Sequence, residues 1–173
     1  AAAIFAANDA NLPADEFRDF VAMLESQHRY PGIQGIGYPR RLPVSELGAL
    51  TEEMRARGID WFNVWPEPVG GDFHAIVLLE PMDRRNRAAI GYDMYSDPVR
   101  RAAMARARDT GAPAASARLV LVQEIELRKQ VGFLIYVPVY RGGTLPRTVA
   151  ERRARLAGFV YSPFRTEDLL RGI

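Results

Sequence analysis

Apolar residues recur along this chain at two different spacings, and each change of spacing marks the boundary of an element. Phe17, Phe20, Val21 and Leu24 follow Pro13 at steps of three and four, which gathers side chains on one helical face. Pro13 suits the first helical position, and Pro31–Gly32 in "RYPG" ends the pattern. The stretch "IQGIGYPRRL" predicts a strand in which Gly35 and Gly37 leave one side bare for a close approach. Ser45 then predicts the N-cap of a second helix, with Leu47, Leu50 and Met54 on one face and Gly58 at its stop.

Beyond the aromatic, turn-rich "WFNVWPEPVGG", the run "DFHAIVLLEP" is apolar without alternation, as in a strand covered on both faces. Two short helices follow. Asp83 caps the first, with Gly91 past its end; Asp97, Pro98 and Gly111 bound the second, whose inner face carries Val99, Ala102, Ala103 and Ala107. Three strand-like runs, "SARLVLVQE", "GFLIYVPVY" and "AGFVYSPFR", complete the chain, and "TVAERRARLA" bridges the last two as a short helix or loop. Strands grouped before the helices and again after them predict an α+β fold. A five-stranded antiparallel sheet with helices inserted after its second strand is the PAS-like plan.

Composition narrows the picture only a little. The 173 residues suit one domain, with two small subdomains possible, and 48% apolar with 25% charged residues is ordinary for a folded globule. A net charge of +2 gives no bulk electrostatic argument for nucleic acid. Lys129 is the only lysine, and codon bias explains the surplus of arginine at least as well as phosphate binding. The absence of cysteine excludes disulfides and thiolate metal sites. No run approaches the ~20 apolar residues that span a bilayer. "AAAIFAAN" is too short for that and lacks the basic flank of a signal peptide; with "DLLRGI" at the other end, it suggests a segment of something longer.

The sequence contains no P-loop, no dinucleotide fingerprint after a strand and no nucleophile elbow. His28 reads as a surface residue and His74 as a satisfied structural histidine, which leaves a weak case for metal. The arginines at 100, 101, 106 and 108, bracketed by Asp97 and Asp109, read as a solvated helix face, and Glu124 with Glu126 as an exposed strand edge. Asp93, in "GYDMYSD", is the strongest candidate. A carboxylate among aromatics costs free energy unless it is hydrogen-bonded, so Asp93 either binds a ligand within walls made by Tyr92, Met94 and Tyr95 or bonds its own backbone between two helices. The "SDP" beside it already supplies a cap, which weighs toward the pocket.

"YPGIQGIGYPRRLP", "VLLEP", "NRAAIGYDMYSDPVRRAAMARARDTG", "GFLIYVPVY" and "GFVYSPFRTEDLL" occur in order at sensible intervals. Together they resemble the CHASE domain, the extracytoplasmic sensory module of histidine kinases, adenylate cyclases and diguanylate cyclases, over roughly Phe17 to Leu170. The resemblance implies a periplasmic, non-catalytic domain of a receptor anchored by flanking membrane helices. Residues 1–30 would be the end of a dimerising stalk and the helix after it, and 31–173 the membrane-distal PAS-like sensor. It implies a small-molecule ligand, adenine-like or a small organic acid, with no cofactor. Asp93 stands where plant members have the aspartate of an "LDMMSG"-like phrase that accepts hydrogen bonds from adenine, and Ala115 stands near a leucine that gives backbone contacts. The wall then adds one of Phe133 and Tyr136, whose side chains point opposite ways along their strand, with Arg118 or Gln123 as polar contacts. Two rival readings are a dimerisation or partner-sensing module without a ligand, and a hydrolase pairing Asp93 with His74, which lacks a nucleophile.

Overall fold

The structure is a computed structural model that describes residues 12–25, 33–125 and 129–171. The expected stalk, His28, Glu126 and "RYPG" lie outside those residues. Helix α1 (Ala14–Glu25) opens after Pro13, with Asp15 and Glu16 in its first turn favoured by the helix dipole. Its Phe17 and Val21, one turn apart, are fully buried, and the helix packs against the second strand. Removing a side chain of that size from water contributes about 1.5–3 kcal/mol.

Strands β1 (Ile36–Pro43) and β2 (Asp72–Glu80) pair antiparallel from Ile36↔Glu80 to Pro43↔Asp72, with a bulge at Tyr38/Pro39. In β2 every side chain from Phe73 to Leu79 is buried, as its unbroken apolar run requires. Strands β3 (Ala114–Ala115), β4 (Leu119–Val120), β5 (Val131–Tyr140) and β6 (Leu156–Arg165) complete one antiparallel sheet of order β2-β1-β6-β5-β3, with β4 also on β5. Helices α3 (Arg84–Ala89) and α4 (Pro98–Thr110) enter between β2 and β3, so the fold is α+β and PAS-like. Helix α5 (Val149–Arg155) joins β5 to β6 and opens on a capping box between Thr148 and Glu151; α6 (Thr166–Arg171) follows β6 directly.

Several local expectations change. The second helix, α2 (Leu47–Ala56), buries Leu50 and Met54, but Ser45 lies within a 3-10 turn ahead of it and makes no capping bond. "SARLVLVQE" forms only the two-residue strand β4, and the two-residue β3 lies just ahead of it, because the chain is not paired as strand over Ser116–Arg118 between them. The buried face of α4 is Arg100, Ala103, Met104 and Ala107, whereas Ala102 is exposed. Glu124 is buried and paired with Arg165 at 2.8 Å, not an exposed edge.

Two glycines make close approaches possible. Gly37 lies opposite Tyr161, whose ring covers it, and a Cβ there would meet Tyr161 Cε1 at 2.4 Å. Gly91 combines φ +83° with the Asn63 carbonyl, which an added Cβ would meet at 2.0 Å. Gly37→Ala should therefore destabilise the domain by about 1–3 kcal/mol through overpacking, read as a lower urea midpoint at unchanged slope. An unchanged midpoint would mean that the Tyr161 ring does not need the bare backbone.

Candidate functional site

The site is built on chain that completes the free edge of β2. Gly91 N donates to Ile76 O (2.9 Å), Ile76 N donates to Tyr92 O (3.1 Å), and the Trp65 backbone pairs outside this segment through Trp65 N to Gly91 O (3.0 Å) and Asp93 N to Trp65 O (2.8 Å). Asp93 then turns the chain into a single 3-10 turn, Met94–Ser96. Its Oδ1 accepts from Tyr95 N (3.0 Å) and from His74 N on β2 (2.8 Å), and its own carbonyl accepts from the Ser96 hydroxyl (2.6 Å). The neighbouring "SDP" does cap α4 through Asp97, which accepts from Arg100 N, but the 3-10 turn needs a second cap and Asp93 provides it. Asp93 is 6% exposed, and its Oδ2 makes no hydrogen bond among the described residues.

Its neighbours reach into the layer between the sheet and α4. The Tyr92 ring lies 4.6 Å from the Trp65 ring, with the Arg100 guanidinium 5.2 Å from its centre on α4. Met94 Sδ receives the Tyr136 hydroxyl at 3.5 Å, a weak bond, and Tyr95 stacks on His74 at 4.4 Å. Tyr136 shares the inner face with Phe159 and Tyr161, at 6.0 and 6.1 Å between ring centres. Phe133 belongs to the opposite face, where it stacks on Phe164 at 5.0 Å, because odd and even positions of β5 point apart. Ala115 and Arg118 are exposed, and the Ala115 carbonyl is taken by Arg106. Gln123 is buried with its Nε2 unpartnered, in the loop after β4. Asp93, Tyr92, Met94, Tyr95 and Tyr136 thus come together, whereas Phe133, Ala115 and Arg118 do not join them.

Two residues of this cluster escaped sequence reasoning. Arg100, read as solvated, is 3% exposed. Position 100 extends the 103, 104, 107 stripe by one turn, which was the available signal. Its Nη1 pairs with Asp97 at 3.2 Å and its Nη2 donates to Val120 O at 3.1 Å, while its Nε has no partner among the described residues. Tyr161 is fully buried and its hydroxyl also has none. The other α4 arginines are not simply solvated either: Arg101 donates to Tyr95 O, Arg106 to Ala115 O and Arg108 to Asp109.

A buried donor without an acceptor costs about 1–3 kcal/mol. Burial raises the pKa of Tyr136 and Tyr161, so both phenols stay protonated and able to donate. Burial pushes His74 down to about 3; Arg41 and Arg108 add to that push, and Asp72 opposes it. The imidazole is therefore neutral near pH 7, and neither of its ring nitrogens has a partner among the described residues. Asp93 engages the His74 main-chain amide and not its ring, so no histidine–aspartate dyad exists here. Two open clefts lie elsewhere: about 590 Å³ beside α1, β2 and α2, and about 400 Å³ around Trp61, Trp65, Arg84 and Arg87. Between sheet and α4, the side chains of Met94, Tyr136 and Tyr161 fill the layer.

Asp93→Ala should cost about 1–3 kcal/mol by stranding two amides, whereas Asp93→Asn, which keeps an acceptor oxygen, should cost clearly less; urea denaturation separates them. Equal losses would contradict the capping role. For His74 the folded pKa lies below the unfolded value of 6.5, so the unfolded state binds more protons at low pH. Its contribution is complete above about pH 6.5 and is lost as pH falls toward 3. His74→Phe should accordingly flatten the stability profile between about pH 6.5 and 5, a window above the ordinary carboxylate titrations. A slope there identical to that of the parent would refute a buried neutral imidazole.

Comparison with known proteins gives the family. A family model described as the CHASE domain matches residues 11–173. The hybrid signal transduction histidine kinase A of Dictyostelium discoideum is 30% identical over 103 residues, 57% of this chain; that stretch covers 5% of the kinase's own length. Among the described residues no helix is long and apolar enough to cross a membrane. The match takes in nearly every element from α1 to α6, so the chain belongs to the CHASE domain family, a sensory domain of signalling proteins.

Proposed function

We propose that this domain senses a small molecule admitted between the inner face of the sheet and the 3-10 turn with α4. It would serve as the extracytoplasmic, periplasmic unit of a membrane receptor with a kinase or cyclase output. One observation carries the reading: buried polar atoms of Arg100, Tyr161 and His74 lie without partners among the described residues, in the layer that Asp93 and its neighbours enclose. A bound guest supplies the missing partners, and Met94, an adaptable side chain, gives way to it. The 3-10 turn then shifts relative to β2, with Asp93 as the tether between them. A ligand moves the receptor only through different affinities for its two states, and those states would differ in the arrangement of a dimeric stalk.

A second reading, a partner-protein sensor, is favoured by the groove where Trp61 and Trp65 are 43% and 37% exposed and Arg87 lies over the Trp61 ring. A thermal-shift screen of purines, amino acids and organic acids decides between the two. Ligand at a hundred times its Kd should raise Tm by about 5–10 °C. Met94→Trp, which replaces the adaptable side chain by a bulky rigid one, should abolish the rise while the unliganded domain still melts cooperatively. A rise that survives Met94→Trp places the ligand elsewhere, and silence across the screen favours the partner reading.

A further inference from the structure

Given that reading of the layer, we infer that its guest is a carboxylate, a small monoanion with an apolar, ring-sized body, gripped by Arg100 with Tyr161 and Tyr136. The unpartnered groups of Arg100, Tyr161 and Tyr136 can all donate, while the neutral His74 ring, packed against Tyr95 and Phe159, adds one donor and one acceptor. Arg100 Nε has only a hydrogen to offer, the Tyr161 hydroxyl has no acceptor, and the Tyr136 hydroxyl has only the sulfur of Met94. The Tyr136 and Tyr161 rings lie 6.1 Å apart, the Tyr136 hydroxyl reaches Met94, and the Arg100 guanidinium sits 5.2 Å from the ring of Tyr92, two residues before Met94, so the three donors border one stretch of the layer. Asp97, which partly balances Arg100, lies toward solvent: its side chain is 29% exposed against 4% for Arg100.

A carboxylate oxygen answers all three donors, and its bond to guanidinium is charge-assisted and shorter than a neutral one. An amide offers one weaker acceptor and brings N–H groups of its own, for which Met94 Sδ is a poor recipient. The rest of the wall, Met94, Phe159 and the Tyr92 ring, is apolar and suits a hydrocarbon or aromatic body. Arg100 and Tyr161 reach this layer from α4 and β6, and neither flanks Asp93 in sequence.

The test uses matched probes, benzoate against benzamide and phenylacetate against phenylacetamide, with adenine as a neutral ring, read by calorimetry and thermal shift at pH 7.5. Carboxylates should bind at least tenfold tighter than their amides. Tyr161→Phe should raise the melting temperature of the unliganded domain, since it removes a buried hydroxyl without a partner, and yet weaken carboxylate binding about five- to tenfold. A purely structural tyrosine would not give that opposed pair. Arg100→Gln should abolish binding; should that variant fail to fold, the tyrosine variant still decides. Amides or adenine binding as tightly as the acids would overturn the inference and leave the ligand site standing. Carboxylate binding unchanged in Tyr161→Phe would overturn it as well. No response from any probe removes both this inference and the site on which it rests.

Discussion

A sheet edge made of buried residues cannot be left open, and β2 shows how this domain solves the problem. The strand is apolar from Phe73 to Leu79, and the chain that closes its edge is not a strand. Two backbone bonds from Gly91 and Tyr92 extend the ladder, and at the next amide, His74 N, the Asp93 carboxylate takes the place of a strand carbonyl. The same oxygen holds Tyr95 N. One atom therefore fixes the 3-10 turn in register with the sheet, and the positions of Tyr92, Met94 and Tyr95 follow from that bond.

Around this joint the interior is more polar than its apolar composition suggests. Arg100, His74, Gln123 and Glu124 are all buried, together with several tyrosines. Some of this polarity is paired charge to charge, as in Glu124 with Arg165. Between sheet and α4, Arg100 and Tyr161 keep unmatched donors and His74 stays neutral by desolvation, and Gln123 keeps another in the loop after β4. Interiors seldom leave such groups unmatched, since each one costs a noticeable share of a stability that is small to begin with.

Elements with a strong local cause were legible in the sequence. The unbroken apolar run of β2, the Asp97-Pro98 start and Gly111 stop of α4, and the Asp83 cap of α3 depend on neighbours a few residues away. Ser45 misled because a cap needs geometry as well as an oxygen, and the chain there enters a 3-10 turn instead. Arg100 misled for a different reason. A charge run suggests solvent, and only tertiary packing turns one member of the run inward, toward the Val120 carbonyl and the Tyr92 ring. Asp93 was found, but its bond to His74 joins residues 19 apart and has no signature in the local sequence. The split between Phe133 and Tyr136 was foreseeable from alternation, whereas the face each takes follows from where α4 lies.

The far end of α4 has a consequence of its own. Asp109 holds Arg108 and Arg153 at 2.6 Å each, its carbonyl receives Arg152, and the Tyr140 hydroxyl fastens to the Arg108 carbonyl at 2.6 Å. Helix α5, which supplies Arg152 and Arg153, passes into β6 at Leu156 with no linker, and β6 passes into α6 at Thr166 in the same way. From α4 to the last helix, then, the path runs through abutting elements and short polar contacts, with no loop between α5, β6 and α6.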